Sequence, residues 1–152
     1  QLQTAEATNL IPIRSYLEKV IHGALASYPR RVATDVKIED VDVPPKIATS
    51  LGLIVNEIAT NAVKHGLPAT DDPQFSTHVT TETLPTGKTF INARISNSGP
   101  PFPLEIDINS PTSMGLTLVS LLVDQHGGTV RLERRAPLLF VVSLPIEVRN
   151  DE

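Results

Sequence analysis

The stretch Asn56-Glu57-Ile58-Ala59-Thr60-Asn61-Ala62-Val63-Lys64-His65 sets a carboxylate, two carboxamides, an ammonium and an imidazole inside an otherwise apolar helical pattern. At about 100° of rotation per residue, Glu57, Asn61 and Lys64 fall within a stripe about 60° wide. The apolar stripe of the same helix lies roughly 100° around, so the polar trio borders whatever the helix packs against. Together these groups meet the needs of a magnesium-bound triphosphate. An amide oxygen ligates a hard cation, a carboxylate holds a metal-bound water, and an ammonium neutralises phosphate charge. For the helix alone, a solvated face with an ordinary Glu57–Asn61 contact and an exposed lysine is the stronger reading.

Two further places shift that balance. Ile91, Ala93 and Ile95 point to one face of a strand, and Asn97 continues that face where the strand runs out into Ser98-Gly99. A polar side chain facing inward there can hydrogen-bond the edge of a ligand such as adenine, although for this stretch alone an Asn-Ser-Gly turn is the stronger reading. Then Ser113-Met114-Gly115-Leu116 opens a helix after a flexible stretch. Unpaired N–H groups at a helix start, with glycine allowing close approach, suit phosphate. An N-cap serine is a sufficient structural explanation of the same residues.

The elements that must hold these residues follow from period and punctuation. Ile13, Leu17, Val20, Ile21, Ala24 and Leu25 have helical spacing within residues 11–28, and Pro29 stops that helix. Val32, Thr34, Val36 and Ile38 alternate as a half-buried strand. Pro44-Pro45 starts the helix whose stripe is Ile47, Leu51, Ile54, Ile58 and Ala62, and Gly66 and Pro68 end it. Strands are expected at 75–84 and 88–96 around the turn Pro85-Thr86-Gly87, with a Pro/Gly/Asn-rich stretch at 97–112. A helix at 113–125 stopped by Gly127-Gly128, then strands at 129–133 and 138–144, complete the chain. This order makes one α/β domain over residues 1–152, a mixed sheet with helices on one face. Residues 1–10 read as the end of an upstream helical or linker segment.

Composition removes several classes of function. There is no cysteine, which excludes a disulfide framework, a thiolate metal site and a cysteine nucleophile. The net charge of −4, with no basic patch, argues against a nucleic-acid surface. No apolar run reaches the length of a membrane span.

Taken in order, the chemistry-bearing segments resemble the ATP-binding domain of sensor histidine kinases, in the GHKL superfamily shared with gyrase, a heat-shock chaperone and a mismatch-repair ATPase. LGLIVNEIATNAVKHG, from Leu51 to Gly66, is similar to that family's N-box. ISNSGPPFP, from Ile95, stands where the first glycine box belongs, and SMGLTLVSLLVDQHGGTVRLE, from Ser113, resembles the second with its helix and strand. LIPIRSYLEKVIHGALASY, from Leu10, resembles the lead-in helix of the bacterial subfamily related to the HWE kinases. The resemblance implies a two-layer α/β sandwich with a mixed, mostly antiparallel sheet. It implies Asn61 as a Mg²⁺ ligand, Glu57 as the residue orienting a metal-bound or attacking water, and Lys64 and His65 near the phosphates of ATP. Asn97 would stand at the adenine-reading position, with Gly99 letting the chain pass the base. Residues 102–112 would be the ATP lid, and Ser113, Met114, Gly115 and Leu116 would face the phosphates.

The function so implied is that of a protein-histidine kinase catalytic domain. It would bind Mg-ATP and pass the γ-phosphate to a histidine on a separate upstream dimerisation domain, with a response regulator downstream, on the cytoplasmic side. His22, His65, His78 and His126 lie on no long dimerisation helix, so none is expected to be the acceptor. The departures concentrate on the base half. Asn97 replaces the usual Asp, Pro101 the second glycine of its box, Ser113 the first glycine of the second box, and Pro137-Leu138 a Gly-Thr pair. They motivate an alternative, a degenerate domain acting as a docking or phosphotransfer scaffold. A serine kinase acting on an anti-sigma-type partner is a third reading, which the lead-in helix fits less well.

Overall fold

The computed structural model describes residues 9–100, 114–134 and 137–146. Along the chain run β1 (Ile11–Pro12), α1 (Ile13–Leu25), β2 (Ala33–Ile38), β3 (Asp42–Val43) and α2 (Pro45–Asn61). A π-helical turn (Ala62–Gly66) and a 3₁₀ turn (Leu67–Ala69) extend α2, and β4 (Gln74–Thr83) and β5 (Thr89–Asn97) follow. The last elements are α3 (Met114–Gln125), β6 (Thr129–Glu133) and β7 (Leu138–Ile146).

Five strands form one sheet in the order β2-β4-β5-β7-β6. β2 and β4 are parallel because α2 carries the chain back between them, and the other pairs are antiparallel. The period-2 alternation decides which face is covered. Phe75 and Val79 of β4, Ile91, Ala93 and Ile95 of β5, and Phe140, Val142 and Leu144 of β7 are buried beneath the helices. Ser76, His78, Asn92, Arg94, Ser96 and Ser143 alternate with them and turn to the open face, where Ser76 and Ser96 share a 2.7 Å hydrogen bond. α2 is the middle helix, packed against α1 on one side and α3 on the other. Its Leu51, Ile54 and Ile58 are almost wholly buried, each contributing roughly 1.5–3 kcal/mol relative to an exposed side chain. Gly52 lets α1 approach, since a β-carbon there would come within 2.7 Å of the Tyr16 ring.

The mixed sheet with its helices on one face matches the sequence expectation. Three details differ. The first helix begins only at Ile13, because Ile11 and Pro12 pair with Val43 and Asp42 as a small antiparallel ladder. Pro12, with φ −67° and ψ 112°, holds the extended conformation that precedes the helix. β7 runs past Leu144 to Ile146. Pro145 is accommodated there because β6 pairs with β7 only as far as Ser143. The third difference, at the end of α2, shapes the candidate site.

Candidate nucleotide site

Pro45 starts α2 at a position that needs no intrahelical N–H, and the buried stripe then fixes the rotation of the whole helix. Glu57 and Asn61, one turn apart, are consequently half-buried on its flank. The expected stop at Gly66 is not a stop. After Asn61 the helix widens into the π turn, in which the Leu67 N–H donates to the Ala62 carbonyl five residues back. Each residue of a π turn rotates less than in an α-helix, so Lys64 does not continue the Glu57–Asn61 stripe at the angle the α period predicts. Lys64 and His65 are both exposed.

The π turn delivers Gly66 to the end of β5. A β-carbon on Gly66 would overlap the Asn97 carboxamide oxygen, and one on Gly99 would overlap the Gly66 backbone. Gly66 has φ −84°, so a side chain is excluded by lack of space and not by backbone conformation. Asn97 itself is 5 % exposed, facing inward between Phe75 of β4 and Leu138 of β7. Its Oδ1 accepts the Gly99 N–H at 2.8 Å. Ser98 anchors the turn on the other side. Its N–H donates to the Gln74 carbonyl at 3.0 Å, and its Oγ accepts the Gln74 N–H at 2.8 Å. The turn and the inward-facing polar group, weighed as alternatives from sequence, coexist in one residue.

α3 approaches from the opposite side. At its end His126 Nε2 lies 2.8 Å from the buried Ser50 Oγ of α2. The rise from Ser50 to Asn61 and from His126 back to Met114 is nearly the same, roughly 16–18 Å at 1.5 Å per residue. With α3 packed along α2, its start therefore lies toward the Asn61 end. Met114 and Gly115 open the helix, and Leu116 is buried in the core. Ser113, Pro101 and the expected lid lie outside the described residues. Glu57, Asn61, Gly66, Asn97, Gly99 and the first turn of α3 thus converge on one end of the sandwich.

Sequence reasoning missed two groups here. Gly66 read as a helix stop, whereas it is the point of contact between α2 and β5. Thr77 occupies an inward position of β4, fully buried, in the row behind Phe75 and Asn97. Its Oγ1 is one of two buried side-chain polar atoms that lack a partner among the described residues. A threonine between Phe75 and Val79 in an inward-facing alternation was the available signal.

A perturbed carboxylate lies on the edge strand β2, on the open face of the sheet. His78 Nε2 is 2.9 Å from an Asp35 carboxylate oxygen, and this hydrogen bond, with the nearby Lys37, holds the Asp35 carboxyl below its ordinary value of 3.8. Among the described residues, no three His, Cys, Asp or Glu side chains gather as a metal cluster, and no helix is long and apolar enough to cross a membrane.

A family profile described as "Histidine kinase-like ATPase domain" matches residues 22–136. No curated protein matches the chain. Among solved structures, the histidine kinase domain of the Erythrobacter litoralis EL346 blue-light activated histidine kinase superposes with a TM-score of 0.74 at 22% identity, covering 90% of this chain and 62% of that one. The longer form of the same Erythrobacter kinase gives 0.78 at 22% identity, with 90% of this chain and 42% of that one covered. The mycobacterial sensor histidine kinase MprB gives 0.71 at 16% identity, with 91% and 97% covered. The chain therefore spans less than two thirds of the Erythrobacter chains, and at these identities the likeness is one of fold.

Proposed function

Because this chain belongs to the histidine kinase-like ATPase domain family, we propose that it is the Mg-ATP-binding catalytic domain of a sensor histidine kinase. In this reading residues 1–152 form one domain that donates the γ-phosphate to a histidine on a separate dimerisation domain, upstream of a response regulator and facing the cytoplasm. The observation that carries it is the meeting of Gly66, Asn97 and Gly99 beside half-buried Glu57 and Asn61. Two segments far apart in sequence are brought together, and two of the contacts between them admit no side chain.

The donor set fits magnesium. Magnesium keeps several waters and takes only one or two protein oxygens besides phosphate, and Asn61 Oδ1 with a water held by Glu57 would supply that number. When bound, the ion would neutralise charge on the phosphate oxygens of the nucleotide. Asn61 and Glu57 would orient it from the flank of α2. Lys64 and His65, exposed at the cleft rim, would add positive charge or hydrogen-bond donors toward the phosphates. Backbone N–H groups of Met114, Gly115 and Leu116 at the head of α3, with that of Ser113 preceding them in sequence, would do the same. Catalysis by such a domain rests on positioning and electrostatics, with no covalent intermediate on this chain.

A second reading, a fold retained as a docking or phosphotransfer scaffold, is favoured by one observation. The Asn97 oxygen is already engaged by Gly99, and buried Leu138 beside it offers no hydroxyl. Calorimetric titration with nucleoside triphosphate, with and without Mg²⁺, separates the two. Saturable, magnesium-dependent binding that Asn61→Ala removes supports the catalytic reading. A folded sample that binds no nucleotide at millimolar concentration rejects it.

A further inference from the structure

We propose that the site at Asn97 prefers a 6-oxopurine, such as hypoxanthine or guanine, over adenine; the proposal rests on the nucleotide-binding reading given above. Asn97 is the polar side chain at the inner end of β5, between the apolar Phe75 and Leu138. Which of its two terminal atoms is oxygen is settled by chemistry. The Gly99 N–H lies 2.8 Å from one of them and can donate only to oxygen. The same oxygen is the atom pressed closest by Gly66. A ligand reaching Asn97 therefore meets an oxygen already engaged by the Gly99 N–H.

The other atom, Nδ2, has no hydrogen-bond partner among the described residues. Among the described residues the fully buried unpaired side-chain polar atoms are Thr77 Oγ1 and Arg134 Nε, so Nδ2 is not fully buried. The small exposure that Asn97 retains accordingly includes this nitrogen. An NH₂ group is a donor only. A carboxylate in the same place would have a second oxygen to accept from an exocyclic amine while the first kept the Gly99 N–H. A carboxamide cannot do both. Adenine presents an amine at its 6-position, so the two donors would face each other unpaired. A 6-oxopurine presents a carbonyl oxygen there, which Nδ2 can donate to. Polar sites reject a mismatched donor or acceptor more strongly than apolar pockets reject an altered shape, because the groups left unpaired lose their hydration without compensation.

Titration calorimetry with Mg-ATP, Mg-ITP and Mg-GTP tests this. ITP is the decisive probe because it carries the 6-oxo group without guanine's extra 2-amino group. The expected result is ITP tighter than ATP by on the order of tenfold, with Asn97→Asp reversing the order. ATP binding as tightly as ITP, or more tightly, in the unsubstituted protein overturns the base preference and leaves the nucleotide site standing. Saturation by none of the three in a folded sample removes the nucleotide site and the preference together. If Asn97→Asp fails to fold, the ATP-to-ITP ratio of the unsubstituted protein decides alone.

Discussion

Gly66 lies against the Asn97 carboxamide so closely that a β-carbon on the glycine would overlap Oδ1. This contact joins a helix and a strand that are far apart in sequence, and both chemical halves of the cleft depend on it. Glu57 and Asn61, proposed to face the phosphates, precede Gly66 on the same helical rod, and Asn97 is the residue proposed to face the base. The π turn makes the contact possible by displacing the end of α2 from the path a continuous α-helix would follow.

Gly66→Ala is therefore expected to lower stability by about 1–3 kcal/mol, the usual cost of forcing extra volume into a packed site. Nucleotide affinity should fall with it, since Asn97 must move. Gly23→Ala is the matched control. Gly23 is an exposed residue of α1, and a β-carbon added there would meet nothing within 4 Å, so alanine should raise stability by roughly 0.5–1 kcal/mol. Urea midpoints of the two variants would be compared. Equal effects would mean that the Gly66 contact is looser than the structure shows.

Much of this architecture was legible from period alone. Ile91, Ala93 and Ile95 alternate so regularly that the inward direction of Asn97 followed before any contact was known, and it is buried as expected. The spacing of Ile47, Leu51, Ile54 and Ile58 likewise fixed the buried side of α2, and with it the half-buried flank of Glu57 and Asn61. The end of that helix was not legible. The π turn accompanies the tertiary contact between Gly66, Asn97 and Gly99, and no local propensity in Ala62-Val63-Lys64-His65 encodes it. The same limit hid the β1–β3 ladder, whose two-residue strands carry no period, and the pairing of Ser50 with His126.

That last pair offers a second expectation. Ser50 is 8 % exposed and its hydroxyl meets His126 at 2.8 Å, so Ser50→Ala leaves the imidazole nitrogen without this partner. A loss of about 1 kcal/mol is expected. In a double-mutant cycle, Ser50→Ala with His126→Ala should cost less than the two single changes added together. Strict additivity in chemical denaturation would show that the two side chains do not interact in solution.

The stop of α3 gives a third. Gly127 has φ +67°, its N–H donates to the Asp124 carbonyl, and the Gly128 N–H donates to the Val123 carbonyl. This is the paired C-terminal cap that glycine favours in the left-handed region. A β-carbon on Gly127 meets nothing within 4 Å, so the cost of Gly127→Ala is one of backbone conformation, about 1–2 kcal/mol. Gly127→Asn should cost less, because asparagine tolerates that region better. Thermal denaturation of the two variants side by side checks the ranking, and an alanine variant as stable as the glycine would contradict the cap.

The fourth concerns pH. Asp35 on the edge strand β2 faces His78 at 2.9 Å and Lys37 at 3.6 Å, and the His78 hydrogen bond is the main cause of its lowered carboxyl pKa. A group whose pKa is lower in the folded than in the unfolded chain stabilises the fold while it is ionised in both. That contribution is present above the ordinary value of 3.8 and is lost as pH falls below it toward the folded value. Unfolding of the protein and of Asp35→Asn would be followed by urea from neutral to acid pH. The unsubstituted protein should be the more stable at neutral pH, and the gap should close as pH passes below 3.8. The Asp35 and His78 side chains are 52% and 41% exposed, so added salt should narrow the gap at neutral pH as well. A gap that stays constant across the acid range would mean that the ionised Asp35 carboxylate contributes nothing to the fold.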